Sequence, residues 1–316
     1  WRKPDTVIVN EPWWTPVAQW ADIVFPATTQ LEREDICASS HDPYVHVMEA
    51  AIPPQHNARS DHEIFKGLAS KLGFYDRFTE GKNDREWLAE MWQRSQITAK
   101  QQGFELPSFD EFWSKKQHRI PDPGPRQPWL GAFRDDPAKN KLNTPSGKLE
   151  LFSEVIDGFN YDDCPGHATW LEPFEWLGGV VSEHYPLALL SPQPERRLHS
   201  QLNHSKHSTD GKIDGREVLS MHPKAAAQRG IGAGSTVRIF NSRGACLAGV
   251  KFDADMRIDV VALPTGAWFN PSVPGDLPSL ELAGNPNVLT KDVGTSKLAQ
   301  GPSSGTCLVQ VELYLP

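Results

Sequence analysis

The chain has 316 residues, with 32 Lys and Arg against 40 Asp and Glu, so its formal net charge is −8. This acidic balance argues against a nucleic-acid-binding protein, because such domains usually carry a basic excess. No window approaches the run of about 18 apolar residues that a membrane-spanning helix needs, and the length allows two domains. The chain begins at Trp1 and has no Met before Met48, so we expect it to be a piece of a longer protein.

The first part reads as alternating strands and helices. Residues 6–9 and 22–25 are short β-branched runs typical of buried parallel strands, with a helix predicted over 13–21 between them. The polar stretch 28–35 follows the second strand, at the edge where open α/β sheets bind ligands.

Three further helices are predicted next: one that starts after Ser60, a typical N-cap, and ends at Gly73, one over 84–102, and a shorter one over 108–116 that begins at Ser108. Six prolines between 119 and 147 then exclude regular structure and end the α/β domain. A further strand is predicted over 148–152.

The remainder is mostly β. A helix over 222–229 interrupts the strands, and the glycines at 230, 232 and 234 follow it. Phosphate-binding glycines follow a strand and open a helix, so we interpret these three as a turn. The predicted strands, with turn signals between them, are 187–190, 218–221, 237–240, 246–252, 260–263 and 307–313. Their number and spacing indicate a small barrel.

The four cysteines are far apart and form no C-x-x-C pair, so neither a zinc ribbon nor an iron–sulfur motif is supported. His199, His204 and His207 lie close together in the sequence, but no carboxylate or Cys completes a known metal-ligand spacing. A polar His-rich loop is the preferred interpretation, and we predict no metal ligand.

Three polar groups carry ligand-binding chemistry. Residues 191–202 follow an apolar strand with many hydrogen-bonding side chains, which suits a polar ligand. Residues 284–301 carry amides that match the edge of a purine or pterin. The third group contains an Arg, which can hold a diphosphate bidentately, and a carboxylate, which can accept two N–H groups of guanine; it is Asn10, Arg33 and Asp61. Solvated surface loops remain the alternative for each group.

These groups and their surroundings resemble one family. Six blocks, in the same order, are similar to the C-terminal part of the dimethyl sulfoxide reductase family of molybdopterin oxidoreductases. Within it they are most similar to the biotin or methionine sulfoxide, trimethylamine N-oxide and dimethyl sulfoxide reductases. The blocks are VIVNEPWWTPVAQWADIVFPATTQLERED (7–35), ARSDHEIFKGLASKLG (58–73), TPSGKLELFSE (144–154), SPQPERRLHSQL (191–202), MHPKAAAQRGIGAGSTVRIFNSRG (221–244) and GNPNVLTKDVGTSKLAQG (284–301).

The resemblance implies a mixed α/β architecture in three parts. Residues 1–120 would be the end of a dinucleotide-binding-like α/β domain and residues 121–183 a Pro-rich crossover. Residues 184–316 would form a six-stranded double-psi β-barrel that binds the molybdopterin dinucleotide. The implied cofactor is bis(molybdopterin guanine dinucleotide) molybdenum.

The resemblance also implies cofactor contacts. Asn10, Glu11, Arg33 and Asp61 match positions at one dinucleotide, with Asp61 at its guanine. The barrel positions that match pterin and phosphate contacts are Ser191, Pro192, Gln193, Pro194, Arg197, His199, Asn287, Gln300 and Gly301, with Ser200, Gln201 and Asn285 as supporting positions.

The implied reaction is oxygen-atom transfer from a small S-oxide or N-oxide to reduced molybdenum, after which two electrons and two protons release water. In these reductases a serine completes the metal coordination and a Tyr and a Trp contact substrate. All three belong to an N-terminal region that this chain does not contain, so we name no catalytic residue. The implied partners are that N-terminal half, the substrate, and an electron donor such as a c-type cytochrome or a thioredoxin-like reductant.

Two alternatives stay open. The chain could be a non-catalytic pterin- or nucleotide-binding module, or a subunit completed in trans by a separate N-terminal chain. It could also be a relative of formate dehydrogenases or nitrate reductases, although the strings RLHSQL and LAQG favour the oxide reductases. Relatives are exported by a twin-Arg signal or stay cytoplasmic, and the resemblance favours the periplasm.

Overall fold

A computed structural model describes residues 3–122, 124 and 128–315. Trp1, and Pro123 and Pro125 of the Pro-rich stretch, lie outside the described residues. The chain forms two compact units, Trp1–Asp135 and Asp136–Pro316.

The first unit combines a two-stranded parallel sheet, a three-stranded antiparallel sheet and several helices. Its elements are β1 (Ile8–Glu11), α1 (Pro16–Gln19), β2 (Ile23–Pro26), β3 (Asp35–Ala38), β4 (Tyr44–Met48), α2 (Asp61–Lys71), α3 (Tyr75–Thr79), α4 (Asp84–Gln101), α5 (Phe109–Lys115), β5 (Gln117–Arg119) and α6 (Gly131–Asp135). Strands β1 and β2 pair in parallel, with Asn10 opposite Phe25. This is the parallel pair that the β-branched runs predict.

The predicted helix starts are confirmed. The Oγ of Ser60 accepts from the N–H of Glu63 at 3.2 Å, and the Oγ of Ser108 accepts from the N–H of Glu111 at 3.2 Å. Helices α4 and α5 pack through Trp92 and Phe112, whose rings stack with centroids 3.8 Å apart. These caps and this contact fix the helical part of the unit.

Other expectations for this unit were wrong. Only residues 16–19 of the predicted 13–21 helix are helical, because Thr15 is the N-cap and Trp20 already the C-cap. A short helix, α6, forms inside the Pro-rich stretch that was expected to have no regular structure. The β3–β4–β5 sheet was not predicted, since its strands are only three to five residues long and give too short a pattern to mark a strand.

The second unit is built on a closed six-stranded barrel. Its elements are α7 (Glu154–Asp157), β6 (Leu187–Leu190), α8 (Lys206–Thr209), β7 (Val218–Met221), α9 (Pro223–Ala227), β8 (Thr236–Phe240), β9 (Ala245–Phe252), β10 (Val260–Ala262) and β11 (Cys307–Leu313). The order around the barrel is β10-β6-β11-β8-β9-β7. Strand β10 is parallel to β6 and β7 is parallel to β9, while the other pairs are antiparallel. The predicted mixed α/β fold with a six-stranded barrel is confirmed.

The barrel closes around an apolar core. In β8, Val237 and Ile239 are fully buried and alternate with partly exposed residues, as the period of two in a strand requires. Gly230 and Gly234, at φ +65° and +78°, form the turn predicted between α9 and β8. The predicted strand over 148–152 does not form: Leu151 is 93% exposed, and no strand of the described residues pairs with this stretch.

Candidate functional site

The carboxyl ends of β1 and β2 and the start of α2 meet at one edge of the first unit. Arg59 continues this edge, because its N–H donates to the carbonyl of Pro26 and its carbonyl accepts from the N–H of Thr28, both at 3.0 Å. Asp61 is exposed, and its Oδ1 accepts from Nδ2 of Asn10 at 3.1 Å. The structure therefore brings together two of the predicted dinucleotide contacts.

The loop after β2 is held by a buried carboxylate. Glu32 accepts from the N–H and Oγ1 of Thr29 at 2.7 and 2.8 Å, and from the N–H of Gln55 at 2.7 Å. These bonds, led by the Thr29 N–H, lower the pKa of Glu32. Arg33 follows in this loop and forms an ion pair with Asp35.

The other two predicted contacts of this unit bond to near neighbours. Arg33 is occupied by Asp35, and Oε2 of Glu11 accepts from Oγ1 of Thr15 at 3.2 Å. Chemically, the edge presents the Asp61 carboxylate beside the Asn10 amide. A carboxylate can accept two N–H groups from the edge of a base.

In the second unit, β6 leads into the predicted 191–194 turn. The N–H of Leu263 donates to the carbonyl of Leu190, and the N–H of Thr265 donates to the carbonyl of Pro192, both at 2.9 Å. Because Leu263 is fully buried in the barrel core, the turn is anchored to a rigid wall of the barrel.

Arg197 is held inside the protein, with only 4% of its side chain exposed. Its Nε donates to the carbonyl of His199 at 3.0 Å, and its Nη2 donates to the carbonyl of Thr265 at 3.1 Å. The same Nη2 lies 2.9 Å from Oε1 of Glu217, which is equally buried. His199 has φ +50°, an uncommon value for a residue with a side chain, so these bonds hold a strained backbone.

A second cation completes this buried cluster. Nζ of Lys212 lies 3.3 Å from Oε1 of Glu217 and donates to Oδ1 of Asn203 at 2.7 Å. Burial lowers the pKa of Lys212, although the charge of Glu217 opposes the shift. Two cations around one carboxylate leave a positive excess beneath the turn, which favours an anion.

A cleft of about 280 Å³ opens beside the turn. The predicted cofactor positions that it brings together are Pro192, Gln193, Pro194 and Arg197, and two further cations, Arg196 and Lys251, line it. Two carboxylates, Glu195 and Glu217, also line it, so its three cations exceed its acids by one. The buried hydroxyl of Ser208 in this lining has no hydrogen-bond partner within the described residues, nor has that of Ser191 at the start of the turn. Because a buried polar group without a partner is costly, the cleft fits a polar ligand, and the excess of cations favours an anionic one.

The remaining residues of the first barrel loop lie on its surface. Ser200 and Gln201 are exposed. The carbonyl of Ser200 accepts from Nε1 of Trp268 at 2.7 Å, and the N–H of Gln201 donates to the carbonyl of Leu198 at 3.0 Å. The backbone of this loop is therefore bonded to the barrel, while the two side chains face outward.

The loop that begins at Gly284 is organised by one buried acid. Glu281 is fully buried and accepts from four backbone N–H groups, at 2.7 to 3.1 Å; the donors are Asn270, Ala283, Gly284 and Asn285. Burial raises the pKa of Glu281, although the four amides act in the opposite direction. Oδ1 of Asn285 in turn accepts from the N–H of Asn287 at 2.9 Å, which leaves the exposed Asn287 side chain facing outward.

The last predicted contacts, Gln300 and Gly301, lie in a separate closed loop. The carbonyl of Gly301 accepts from the N–H of Thr295 at 2.9 Å, and Nε2 of Gln300 donates to the carbonyl of Ser296 at 2.8 Å. Nζ of Lys297 donates to Oδ1 of Asp162 at 2.7 Å, which joins this loop to the segment between α7 and β6. The structure thus gives Gln300 and Gly301 a defined position in a loop distinct from the cleft.

Sequence reasoning missed the buried acids that position these loops. Glu217 precedes a strand without a marked pattern, but Glu281 lies between Leu280 and Leu282, and an acid within an apolar run is a signal of a buried role. Glu175 was also missed; it pairs with Arg243 and accepts from the N–H of Leu308 at 3.0 Å.

The part of the chain that the structure describes contains no group of three or more His, Cys, Asp or Glu side chains arranged to hold a metal ion. In the same residues, no helix has both the length and the apolar character needed to cross a bilayer.

Comparison with protein families gives two matches, one in each unit of the chain. Residues 1–71 match the family model described as molybdopterin oxidoreductase, and residues 187–308 match the one described as molybdopterin dinucleotide binding domain. The chain belongs to the molybdopterin oxidoreductase family. The predicted family and the molybdopterin dinucleotide cofactor are thereby confirmed.

Curated relatives sharpen the resemblance. The chain is 44% identical to a trimethylamine-N-oxide reductase of Haemophilus influenzae, over 99% of this chain and 39% of that protein. It is 42% identical to a biotin sulfoxide reductase of Cereibacter sphaeroides, over 99% of this chain and 42% of that protein. The chain therefore spans about two fifths of the length of these relatives.

A solved structure supports the fold. The acetylene hydratase of Pelobacter acetylenicus is similar with a TM-score of 0.68 and 21% identity, over 98% of this chain and 40% of that one. At this identity the likeness concerns the fold alone.

Proposed function

We propose that this chain is the C-terminal, cofactor-binding part of a molybdenum-dependent S-oxide or N-oxide reductase. The observation that carries the proposal is the 42–44% identity, over 99% of the chain, to a trimethylamine-N-oxide reductase and a biotin sulfoxide reductase. The barrel cleft supports the proposal independently, because its lining suits a polar, anionic ligand.

The proposed cofactor is bis(molybdopterin guanine dinucleotide) molybdenum, and the residues present fit it. In the first unit, Asp61 and Asn10 offer a carboxylate and an amide to a guanine edge. In the barrel, Arg196 and Lys251 line the cleft and suit phosphate, and the unpartnered hydroxyl of Ser208 suits a further polar atom. Each unit would hold its own portion of the cofactor.

The bound molybdenum centre would supply two-electron oxygen-atom transfer. This chain would supply binding and orientation: the Arg197–Glu217 pair fixes the turn beneath the cleft, and Glu281 fixes the loop that carries Asn285 and Asn287. The metal ligand, the substrate contacts and the docking of an electron donor, such as a c-type cytochrome or a thioredoxin-like reductant, are proposed to come from the rest of a longer polypeptide. The proposed compartment is the periplasm, on the family resemblance.

The test compares two purified proteins, the 316-residue chain and the full-length protein that contains it. Molybdenum and guanine dinucleotide are quantified in each, and reduction of trimethylamine N-oxide, dimethyl sulfoxide, and biotin and methionine sulfoxides is measured with a viologen donor. We expect about two dinucleotides per molybdenum and activity only in the full-length protein.

The other outcomes separate the alternatives. A full-length protein that binds pterin without molybdenum or activity would indicate a non-catalytic binding module. Activity restored by adding a separate N-terminal chain would indicate a subunit completed in trans. Stoichiometric molybdenum with oxide reductase activity in the isolated chain would contradict the requirement for the remainder.

A further inference from the structure

A short segment after β10, residues 265–268, contacts the first predicted cofactor loop at four places. We call it the bridging segment. The N–H of Thr265 donates to the carbonyl of Pro192 at 2.9 Å, and the carbonyl of Thr265 accepts from Arg197 at 3.1 Å. Nε1 of Trp268 donates to the carbonyl of Ser200 at 2.7 Å. The fourth contact is made by the glycine between them.

Gly266 lies directly against the strained residue of that loop. It has φ +85°, and a Cβ built on it would overlap the carbonyl carbon and oxygen of His199. Only glycine permits both this backbone conformation and this approach. The close contact sets the position of the His199 carbonyl, which also accepts from Arg197.

The same segment contacts the second predicted cofactor loop. The carbonyl of Ala267, which is 4% exposed, accepts from Nδ2 of Asn285 at 2.9 Å. Asn285 also accepts from the N–H of Asn287 at 2.9 Å, and its own N–H donates to Glu281. Residues 265–268 thus contact two loops that lie more than 80 positions apart in the sequence.

The bridging segment is well placed to transmit rigidity. It begins three residues after the end of β10, and Leu263, the first residue after that strand, is fully buried in the barrel core. Side chains packed in a core have little freedom to shift. A loop that is hydrogen-bonded to this segment is therefore held in a fixed position relative to the barrel wall.

We propose that residues 265–268 are a positioning element that sets both cofactor loops of the barrel in register, with Gly266 and Trp268 as its principal positioning residues. The proposal rests on the proposed function for the identity of the ligand. Its structural content, the coupled order of the 197–201 and 285–287 backbones, does not depend on that identity.

Two variants of the full-length protein test the proposal. Gly266→Ala introduces the overlap with His199, and Trp268→Phe removes the indole N–H while keeping an aromatic ring. The matched control is Gly234→Ala, because Gly234 has a similar φ of +78° but nothing within 4 Å of a built Cβ. It imposes comparable backbone strain away from both loops.

Two measurements are made on each protein: amide hydrogen exchange by residue, and the rate at which guanine dinucleotide is released in mild denaturant. For Gly266→Ala we expect exchange in 197–201 and 285–287 to accelerate at least about tenfold, with a similarly faster release. For Trp268→Phe, loss of one hydrogen bond predicts about a fivefold change with the thermal midpoint nearly unchanged. Gly234→Ala should change neither loop.

The outcomes distinguish this proposal from the proposed function. Exchange and release rates in Trp268→Phe and Gly266→Ala that match those of Gly234→Ala would overturn the positioning role. Acceleration in the 197–201 loop alone would overturn the coupling of the two loops. A parent without molybdopterin dinucleotide would contradict the proposed function, while the exchange data would still decide the structural role.

Discussion

At the scale of single residues, the cations at the barrel cleft differ in how much of their charge the protein itself uses. Arg197 and Lys212 are nearly buried and engaged by Glu217, so most of their charge stabilises the turn, although Arg197 also lines the cleft. Arg196 and Lys251 are the other two cations of the cleft lining. A protein with net charge −8 can therefore bind a polyanion, because a few placed cations and backbone donors determine the local field.

Asp61 carries the first prediction at this scale. In the full-length protein, Asp61→Ala should release guanine dinucleotide about tenfold faster, because a charge-assisted pair of hydrogen bonds to the base is lost. Asp61→Asn should show an intermediate effect, since it keeps one acceptor. The measurement is guanine content and its loss during dialysis.

Asp110→Ala is the matched control for Asp61, because Asp110 is also exposed and lies in the first turn of a helix, α5, but not at the β1–β2 edge. It should leave cofactor content unchanged. Equal retention in Asp61→Ala and Asp110→Ala would remove Asp61 from the candidate site.

At the scale of elements, the loop over 284–291 is fixed at both ends by buried carboxylates. Glu281 holds its start through four backbone N–H groups. At its end, Nε of Arg243 donates to the carbonyl of Leu289 at 2.7 Å and Arg243 pairs with Glu175. A loop that carries ligand contacts gains a single conformation from such anchors.

Replacing Glu281 by Gln should destabilise the barrel by about 3 kcal/mol, because the amide NH₂ faces donors and leaves buried N–H groups without an acceptor. The measurement is the free energy of unfolding of the second unit in urea. Glu312→Gln is the control: Glu312 is about half exposed and pairs with Arg238 on the barrel surface, so its effect should stay within about 0.5 kcal/mol.

Glu175 gives a prediction about pH. Burial alone would raise its pKa, but Arg243 and the N–H of Leu308 outweigh burial and hold the pKa below its ordinary value of 4.5. The folded state therefore binds this proton less readily than the unfolded state does. The stabilisation by Glu175 is fully present above about pH 4.5 and is lost as the pH falls through the lower folded-state pKa.

The measurement is the difference in unfolding free energy between the parent and Glu175→Gln. It is followed from about pH 3 to about pH 7, which spans the transition at about pH 4.5. We expect about 3 kcal/mol at neutral pH, the lower part of the range for a buried pair, and a decline below pH 4.5. Glu172→Gln, on the same stretch, should stay near zero at neutral pH. A difference that grows on acidification would contradict the ion pair.

At the scale of the whole molecule, the chain is two compact units that together span about two fifths of the length of its relatives. Large apolar side chains are exposed along residues 129–180; they include Trp129, Leu151, Trp170, Phe174 and Val180, each at least 77% exposed. Exposed apolar surface of this kind marks interaction sites. This supports the proposal that the activity belongs to a longer polypeptide.

Much of the barrel was predictable because its strands carry local signals. Alternating burial in β7 and β8, and turn residues such as Gly230 and Gly234, can be read from neighbours in the chain. The capped starts of α2 and α5 follow the same logic. The three-stranded β3–β4–β5 sheet escaped prediction because its strands are short and because β5 pairs with β4 from a segment far along the chain, with Arg119 opposite Tyr44.

The candidate site divides along the same line. The residue types of the 191–201 and 284–301 loops, and the pair Asn10 and Asp61, follow from sequence because polar residues at strand and helix ends are a local pattern. That Arg197 is engaged by Glu217, that Glu281 is a buried anchor, and that residues 265–268 join the two barrel loops follow only from the tertiary structure. The contacts of Arg197 with Glu217 and Thr265, and of Asn285 with Ala267, join groups 18 to 68 residues apart, so no short window of sequence contains both partners. The role of Glu281 depends instead on its burial, which the tertiary structure decides.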